Sequence, residues 1–303
     1  MLLHPRVLAL VVGLASVAIA QKPAPRVIVP SGAIVDGRGL ARFNAPQSTG
    51  GSHMLFRAIS EGITLPEGDA TREVIGSGAT LPSPLRGTIN TFVQVNSTDD
   101  GFIVFDAELN GPDADRGIFA LDGRVLTTIV TLRIADGQSL TPFELDPPGM
   151  VVFATHDGVY RWTRATASRE RLVELSAPLV DGPQIARDGS VVWIANDAVV
   201  YWAPGSGVRD VARLGQPSAL GGTAFTSFAR SNVDVASGAG VAFLATTSSV
   251  DAAFLWSPLT GETQVVAKVG DLVEGDPIMR LDTIRMDSDD SIYFRARVDR
   301  RNR

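Results

Sequence analysis

The sequence predicts an all-β fold, a β-propeller with six blades of four antiparallel strands each. One apolar strand pattern recurs six times at a spacing typical of propeller blades. Each copy is flanked by turn-forming residues and by further strand patterns. A lone copy of the fourth strand near the N-terminus predicts how the ring closes. Together these patterns predict one signal segment, residues 1–20, and one folded domain, residues 21–303.

The recurring strand is centred on an aromatic residue that we call the anchor. Successive anchors are 49, 48, 40, 50 and 51 residues apart, which is the length of a propeller blade and too long for most solenoid repeats. We expect each anchor to be buried between neighbouring blades. The six anchors are Phe56, Phe105, Phe153, Trp193, Phe243 and Phe294.

Three more strands per unit follow from the same pattern. Turns rich in Gly, Asp, Asn and Ser precede the anchor strands, so a first strand lies upstream of each turn. First strands are predicted at Ile89–Val95 and Leu281–Met286. Third strands are predicted at Gly117–Leu121, Gly158–Trp162, Val199–Trp202 and Ala253–Trp256. Fourth strands are predicted at Arg72–Gly76, Thr128–Thr131, Arg171–Leu175, Arg209–Leu214 and Gln264–Val269.

A fourth-strand copy stands alone at the N-terminus. The segment Arg26–Val29 matches Gln264–Val269, and both continue into Gly- and Asp-containing loops. Because no blade precedes it, we predict that this segment pairs in the last blade, with Leu281–Met286 and the strand around Phe294. Such closure removes the free edges that an open array would expose. An open or five-bladed ring is the alternative, since no third strand follows Val298.

The repeat resembles the bacterial exported tandem-repeat proteins described by an N-x-x-G-x-x-x-x-A-F motif. The resemblance covers roughly residues 26–298, and Asn96 supplies the one motif asparagine in the turns that precede the anchors. It implies a propeller-like fold and export from the cell. The family has no assigned activity, so the resemblance implies neither a ligand nor site residues.

The first twenty residues predict a secretory signal peptide. Arg6 precedes an apolar run from Val7, which ends in the small-residue triplet Ala18-Ile19-Ala20. A transmembrane anchor is the alternative, but about 14 apolar residues fall short of the roughly 20 that span a bilayer. We therefore expect cleavage near Ala20, no membrane span in the mature chain, and a secreted, periplasmic or cell-surface location.

Composition and motifs limit the partners, metal sites and reactions that the sequence predicts. The formal net charge of −6 disfavours nucleic acid as a partner, and the absence of cysteine excludes disulfides and thiolate metal sites. The mature chain has two histidines, His53 and His156, which we interpret as strand-end or surface residues. No phosphate loop, nucleophile elbow or zinc-protease motif occurs, so we predict no cofactor, no metal and no catalytic residue.

Propellers bind ligands on the loops that join the fourth strand to the next first strand and the second to the third. In this chain the candidate ligand-binding residues on these loops are Asp36, Arg38, Arg86, Asp136, Asp181, Asp271 and Glu274. Their mixed charges suit a polar ligand, or ion pairs between loops. The third strands carry aromatic residues that suggest either a carbohydrate-binding stripe or, the favoured interpretation, core between blades: Tyr160, Trp162, Tyr201, Trp202 and Trp256.

Three functional hypotheses remain. The leading one is a non-enzymatic, monomeric exported propeller that binds a protein or an envelope glycan through its loops. The second is a propeller enzyme, such as a glycan lyase or hydrolase, which would require two carboxylates and an Arg or His converging at a channel mouth. The third is a structural repeat module of a larger surface assembly. The sequence does not identify the partner.

Overall fold

The computed structural model describes residues 34–35, 38–39, 47–48, 54–58, 62–67, 70–98, 100–146, 148–176, 179, 182–236, 240–273, 275–286 and 291–298. Its regular elements are twenty-five β-strands and one short 3₁₀ helix, Ile134–Asp136, within these residues. The predicted all-β fold is confirmed. The predicted signal peptide and the segment Arg26–Val29 lie outside the described residues.

The first half of the chain forms a two-stranded hairpin and two four-stranded antiparallel sheets. The hairpin consists of β1 (Ile34–Val35) and β2 (Arg38–Gly39). Sheet 1 consists of β3 (Gln47–Ser48), β4 (Met54–Ala58), β5 (Gly62–Glu67) and β6 (Ala70–Gly76). Sheet 2 consists of β7 (Thr88–Ser97), β8 (Ile103–Asn110), β9 (Arg116–Asp122) and β10 (Val125–Leu132).

The second half forms four more sheets, and in sheets 1–5 the spatial order of the strands follows the chain. Sheet 3 consists of β11 (Glu144–Asp146), β12 (Met150–Thr155), β13 (Gly158–Thr163) and β14 (Ser168–Glu174). Sheet 4 consists of β15 (Gln184–Ile185), β16 (Val191–Ile194), β17 (Ala198–Ala203) and β18 (Gly207–Arg213). Sheet 5 consists of β19 (Phe225–Ala236), β20 (Gly240–Thr247), β21 (Asp251–Trp256) and β22 (Thr263–Lys268). Sheet 6 consists of β23 (Leu272–Val273), β24 (Asp276–Met286) and β25 (Ile292–Val298).

The predicted first, third and fourth strands are confirmed to within a few residues at each end. The turns between first and second strands form because the sequence supplies residues that tolerate a left-handed backbone. Gly101 has φ +82° and Gly189 has φ +81° in two such turns. One boundary differs from the prediction: Asn96 belongs to β7 rather than to the following turn.

The two ends of each sheet carry different connections between strands. Because each sheet is an antiparallel meander, the second-to-third loops and the connections to the next sheet lie at one end, which we call the loop side. The first-to-second and third-to-fourth turns lie at the other end, the turn side. In sheet 6, the strand β23 pairs with the loop-side start of β24, with Leu272 opposite Pro277.

Contacts divide the described chain into two compact units. The N-terminal unit contains residues 34–151 and 162–170, and the C-terminal unit contains residues 152–161 and 171–298. In the N-terminal unit, one apolar core joins sheet 1 to sheet 2 and contains Ile63, Phe105 and Phe119. In the same unit, Phe102 of sheet 2 stacks on Trp162, with ring centroids 6.1 Å apart.

The C-terminal unit repeats this packing three times. One core joins β12 and β13 to sheet 4, a second joins sheet 4 to sheet 5, and a third joins sheet 5 to sheet 6. Sheets 4 and 5 of this unit therefore each present one face to the sheet before them and the other face to the sheet after them. In sheet 5, for example, Phe243 faces sheet 4 and Leu244 faces sheet 6.

The predicted burial of the anchors is confirmed wherever their side chains are described. At most 3% of each of these residues is exposed: Phe105, Phe153, Trp193, Phe243 and Phe294. Phe56 lies in β4, and its side chain is outside the described part of the chain. The third-strand aromatic residues are core rather than a carbohydrate stripe, because Tyr160, Trp162, Tyr201 and Trp256 are buried. The half-buried Trp202 lies under the guanidinium of Arg161, at 5.1 Å.

The first strands of successive sheets contact each other within each unit. In the C-terminal unit β19 contacts both β15 and β24, and in the N-terminal unit β7 contacts β11. Side chains bridge these strands by binding backbone atoms. The Gln94 amide donates to Phe143 O at 2.6 Å, and the Asp234 carboxylate accepts from Met286 N at 2.9 Å. Burial raises the pKa of the Asp234 carboxyl.

The same first strands contain paired β-bulges. The ladder shifts at Asn90 and Val93 in β7, and at Met279 and Asp282 in β24. In β19 the second shift is wider and takes in residues 229–232. An extra residue bends a strand and re-aims its side chains, and such bulges are common beside binding sites. In β24 the second bulge lies at Asp282, whose carboxylate is beside Arg280 and Arg295 of sheet 6.

Candidate binding surface

The structure places the predicted loop residues on the connections between sheets wherever it describes them. Arg86 follows sheet 1, Asp136 lies in the 3₁₀ helix after sheet 2, and Asp271 precedes β23. Arg38 begins β2. The remaining three, Asp36, Asp181 and Glu274, lie outside the described residues. These assignments as ligand-binding residues stay predictions.

Arg86 pairs with a carboxylate of a neighbouring loop. Its guanidinium binds the two oxygens of Asp113 at 2.9 and 3.2 Å, and its backbone N–H donates to the same carboxylate at 2.8 Å. These bonds lower the pKa of Asp113. The two loops touch so closely that a Cβ on Gly111 would lie 2.3 Å from Arg86 O. Arg86 therefore joins two loops.

Asp271 stabilises a turn. Its carboxylate accepts from the backbone N–H of Lys268 at 2.9 Å, at the end of β22. Two glutamines do the same after other sheets: Gln216 accepts from Arg213 N at 3.0 Å, and Gln138 from Arg133 N at 2.9 Å. A neutral amide serves this purpose in two connections. The position therefore requires an acceptor rather than a charge.

Two carboxylates and an arginine do converge on the loop side of sheet 4. Arg213 binds Asp210 at 2.8 Å and also pairs with Asp197. However, Arg213 and Asp210 belong to β18, which lies at the opposite edge of the sheet from β15. Three strand spacings separate the two edges, about 14 Å. The cluster therefore lies at the outer edge and not beside the first strands.

The described histidine has no positioned partner for catalysis. His156 Nδ1 lies 4.0 Å from Asp157 Oδ1, beyond hydrogen-bond distance, and both side chains are nearly half exposed. The Asp157 carboxylate instead accepts from the hydroxyls of Thr155 and of Tyr160, the latter at 2.8 Å. The Thr155 hydroxyl contributes most to lowering the pKa of Asp157. His53 lies outside the described residues.

The described residues contain neither a cluster that could hold a metal ion nor a helix that could span a membrane. No group of three or more His, Asp or Glu side chains there is arranged to hold a metal ion. No helix among the same residues is long and apolar enough to cross a membrane.

Large aliphatic side chains are exposed on the loop side. On the connections that follow sheets 4 and 5 of the C-terminal unit, Leu214 is 36% and Leu272 is 69% exposed. On the connection that follows sheet 2 in the N-terminal unit, Ile134 is 56% exposed. Three separate connections thus present aliphatic surface. The charged groups described on the loop side bind partners within the chain: Arg86 binds Asp113, Arg213 binds Asp210, and Asp271 binds the backbone N–H of Lys268.

Sheet 6 combines aliphatic and basic side chains on one face, which we call the sheet 6 patch. It consists of Leu272, Arg280, Asp282, Arg295 and Arg297. Phe294 and Ala296 point into the core shared with sheet 5, so their neighbours Arg295 and Arg297 point away from it. Arg280 pairs in register with Arg297 and shares that face. Val273 packs in the core, and Leu272 therefore points the other way.

The sequence did not predict this patch, because bulges in β24 disturb the two-residue alternation that assigns side chains to a face. Arg295 and Arg297 alternate on a recognisable strand, which was the one available signal. In contrast, each bulge changes the two-residue alternation of a strand into a three-residue one. In β7, for instance, the buried residues are Ile89, Phe92 and Val95. No pattern of period two could therefore assign Met279, Arg280 and Asp282 to a face.

Comparisons with known proteins give structural similarity only. No protein-family model and no curated protein matches the chain. Among solved structures, TolB from Acinetobacter baumannii is similar at a TM-score of 0.41 and 13% identity, over 73% of this chain and 53% of that chain. A gluconolactonase from Xanthomonas campestris is similar at 0.40 and 12%, over 67% and 68%.

Virginiamycin B lyase from Staphylococcus aureus is similar at a TM-score of 0.39 and 15% identity, over 71% of this chain and 65% of that chain. These three are β-propeller proteins with different printed roles. The fold of the present chain rests on its own sheets and their packing.

Proposed function

We propose that this chain is an exported β-propeller that binds another protein through the loop side of its sheets and performs no chemistry of its own. The supporting observation is the exposure of Leu214 and Leu272 on two connections of the C-terminal unit. Exposed aliphatic side chains next to internally paired charges suit contact with a protein surface. A catalytic site would instead need ionisable groups held ready for a substrate.

The proposed architecture is six blades closed by the N-terminal segment. It is supported by six sheets that share the anchor pattern, by cores between successive sheets within each unit, and by the fourth-strand copy at Arg26–Val29. Deleting residues 21–37 removes the closing strand, and we expect the melting temperature to fall by about 5 °C or more. Deleting residues 21–24 is the matched control. Equal melting of the two deletions would contradict closure.

Export rests on the signal-like residues 1–20 and would place the partner outside the cytoplasm. N-terminal sequencing of the protein recovered outside the cytoplasm tests it. We expect the mature chain to begin at Gln21, and an uncleaved chain would contradict the proposal.

The binding proposal is tested by capture from an envelope extract of the source cell. The immobilised full chain should retain a specific protein, and the combined substitutions Leu214→Ser and Leu272→Ser should reduce capture at least about tenfold, because they remove apolar contact area. Leu259→Ser is the matched control, since Leu259 is 89% exposed but lies on the turn side of sheet 5. Equal loss in the control, or no retained protein, would contradict loop-side binding.

A further inference from the structure

The outer edge of sheet 2 lacks the charges that the other outer edges carry. In sheets 1–5 the fourth strand lies at one edge, and no further strand of the described chain pairs with it. β10 contains no charged residue and is the longest of these five strands. The other four contain the following charged residues: Arg72 and Glu73 in β6, Arg169, Glu170, Arg171 and Glu174 in β14, Arg209, Asp210 and Arg213 in β18, and Lys268 in β22.

A shared bulge allows the fourth strands to be compared position by position. In β6, β10, β18 and β22, the ladder to the third strand skips one residue, which is Val74, Ile129, Val211 and Val266 respectively. Two residues before the bulge, β6 has Arg72 and β18 has Arg209, whereas β10 has Thr127. The bulge itself does not distinguish β10, because the charged strands contain it as well. The difference lies in the side chains.

Only one half of β10 is accessible. Val125 is 65% exposed and the next three residues are half-buried, whereas Ile129, Val130 and Leu132 are buried. We call residues 125–128 the open edge. An edge strand presents unpaired backbone N–H and C=O groups that can pair with a strand of another chain, and charged side chains on the edge prevent such pairing. The open edge has no charge to prevent it.

Packing between the faces of sheets does not involve the open edge. In the N-terminal unit the first strands β7 and β11 contact each other. β10 lies at the opposite edge of sheet 2 from β7, three strand spacings or about 14 Å away. In the proposed ring, neighbouring sheets cover each other's faces and the fourth strands lie at the periphery. Closure of the ring therefore leaves this edge free to pair.

The composition of the open edge fits a second copy of itself. Antiparallel pairing of a strand with its own copy is two-fold symmetric, so both copies use the same residues. With Val125 of one copy opposite Thr128 of the other, Arg124 lies opposite Ile129 and no like charges face each other. Valine and threonine are β-branched and pack well across strands. The chain itself thus supplies the uncharged strand that this edge requires.

We propose that two copies of this chain form a weak dimer through antiparallel pairing of their open edges, which joins the two copies of sheet 2 into one continuous sheet. This dimer replaces the monomer expected from the sequence and does not depend on loop-side binding. Because the paired strands run in opposite directions, the loop sides of the two sheets point in opposite directions. A contact this short buries less area than a stable complex, so we expect a dissociation constant of roughly 10–100 µM.

Sedimentation equilibrium of the full chain between about 1 and 300 µM tests the dimer. The apparent mass should rise from that of one chain toward that of two. Thr127→Arg introduces the residue that β6 and β18 have at this position and should weaken the dimer at least about tenfold. The matched control is Gln264→Arg, at the same position before the bulge of β22, which should behave like the parent. A parent chain that stays monomeric, or equal weakening by the control, would overturn the proposal.

Self-association through the exposed aliphatic residues of the loop side is the rival explanation. Leu214→Ser combined with Leu272→Ser should leave the dimer unchanged, and its loss in this variant would overturn edge pairing.

Hydrogen exchange of the parent chain locates the contact without any substitution. Amides of residues 122–128 should exchange more slowly at about 300 µM than at about 1 µM, because strand pairing protects edge amides. Residues 168–174 and 263–268, in two other fourth strands, should exchange equally at both concentrations. Protection in those strands instead of residues 122–128 would contradict the proposal. No partner protein is present in these measurements, so their failure leaves the capture test of loop-side binding unaffected.

Discussion

Sheets 2 and 6 carry oppositely charged residues at the same position of the repeat. The acidic residue of sheet 2 is buried, whereas the basic residue of sheet 6 is exposed. Both anchor strands contain the pattern aromatic-X-Ala, as Phe105-Asp106-Ala107 and as Phe294-Arg295-Ala296. The aromatic residues and alanines are buried in both sheets, whereas Asp106 is 1% exposed and the Arg295 side chain is 60% exposed. The repeat therefore determines which residues form the buried face that carries the aromatic residue and the alanine in these two sheets. The residue between them lies on the other face, and its type depends on what packs there.

The two charged residues also differ in their partners. Arg116 binds Asp106 through three hydrogen bonds of 2.5–3.1 Å, with both oxygens engaged. Burial nevertheless raises the pKa of the Asp106 carboxyl, because desolvation outweighs the attraction of Arg116. In sheet 6, Asp282 is shared between two arginines that remain mostly exposed. A buried pair is costly to break, whereas an exposed one contributes little.

The largest effect should come from the feature that the two sheets share. Phe105→Ala and Phe294→Ala should each reduce the free energy of unfolding by about 3–5 kcal/mol, because each leaves a cavity beside a buried core. Urea unfolding monitored by circular dichroism measures both. A loss below about 1 kcal/mol in either variant would break the equivalence of the two sheets.

A smaller effect should distinguish the sheets. Arg116→Met leaves the buried Asp106 without its counterion and should cost about 3 kcal/mol. Arg280→Met removes one of two exposed arginines beside Asp282, whose side chain is 18% exposed and keeps Arg295 nearby, and should cost about 1 kcal/mol or less. The same unfolding assay at pH 7 compares them. Equal losses in the two variants would contradict the difference between a buried pair and a carboxylate shared by two exposed arginines.

The pH dependence sharpens this prediction. Because the folded pKa of Asp106 lies above its unfolded value, the folded state binds the proton more strongly, and stability falls as pH rises through that interval. Arg116→Met should raise the folded pKa further and steepen the fall in stability above about pH 4, the ordinary pKa of an aspartate. Adding Asp106→Asn should abolish the extra slope, since an amide does not titrate. A slope that persists in the double variant would assign it to another group.

An intermediate arrangement in the N-terminal unit should give a still smaller, salt-dependent effect. Arg164 binds Asp122 twice at 2.8 Å, pairs with Asp100 at 2.5 Å, and lies 4.5 Å from the ring centre of Phe102. The Thr98 hydroxyl and then Arg164 lower the pKa of Asp100 to about 2. Asp100 and Asp122 are mostly exposed, so Arg164→Met should cost only about 1 kcal/mol at low salt.

The sign of the pH effect is opposite to that of Asp106. The folded pKa of Asp100 lies below its unfolded value, so its contribution is present above about pH 4 and is lost as pH falls toward 2. Arg164→Met should reduce this acid loss, and the difference should shrink in 1 M salt. Arg124→Met, in the neighbouring turn, is the matched control and should behave like the parent. Unchanged acid unfolding of the Arg164 variant would contradict the role of the pair.

The sequence predicts what is repeated and misses what is particular to one sheet. Apolar alternation and turn residues locate the strands, and the anchors Phe105, Phe153, Trp193, Phe243 and Phe294 are buried as expected. Alternation cannot assign bulged residues to a face, so Met279 and Asp282 escaped notice. Nor can it show that Arg86 is paired to Asp113, since that contact depends on two loops 27 residues apart.

Hydrogen exchange of the full chain with its captured partner protein tests the central claim, that the partner binds the loop side of the sheets, most directly. Binding should slow exchange of amides in residues 213–218 and 269–273, the connections that carry Leu214 and Leu272, and should leave the turn-side residues 257–262 of sheet 5 unchanged. Protection confined to the turn side, or no protection of these two connections at saturating partner, would contradict the claim.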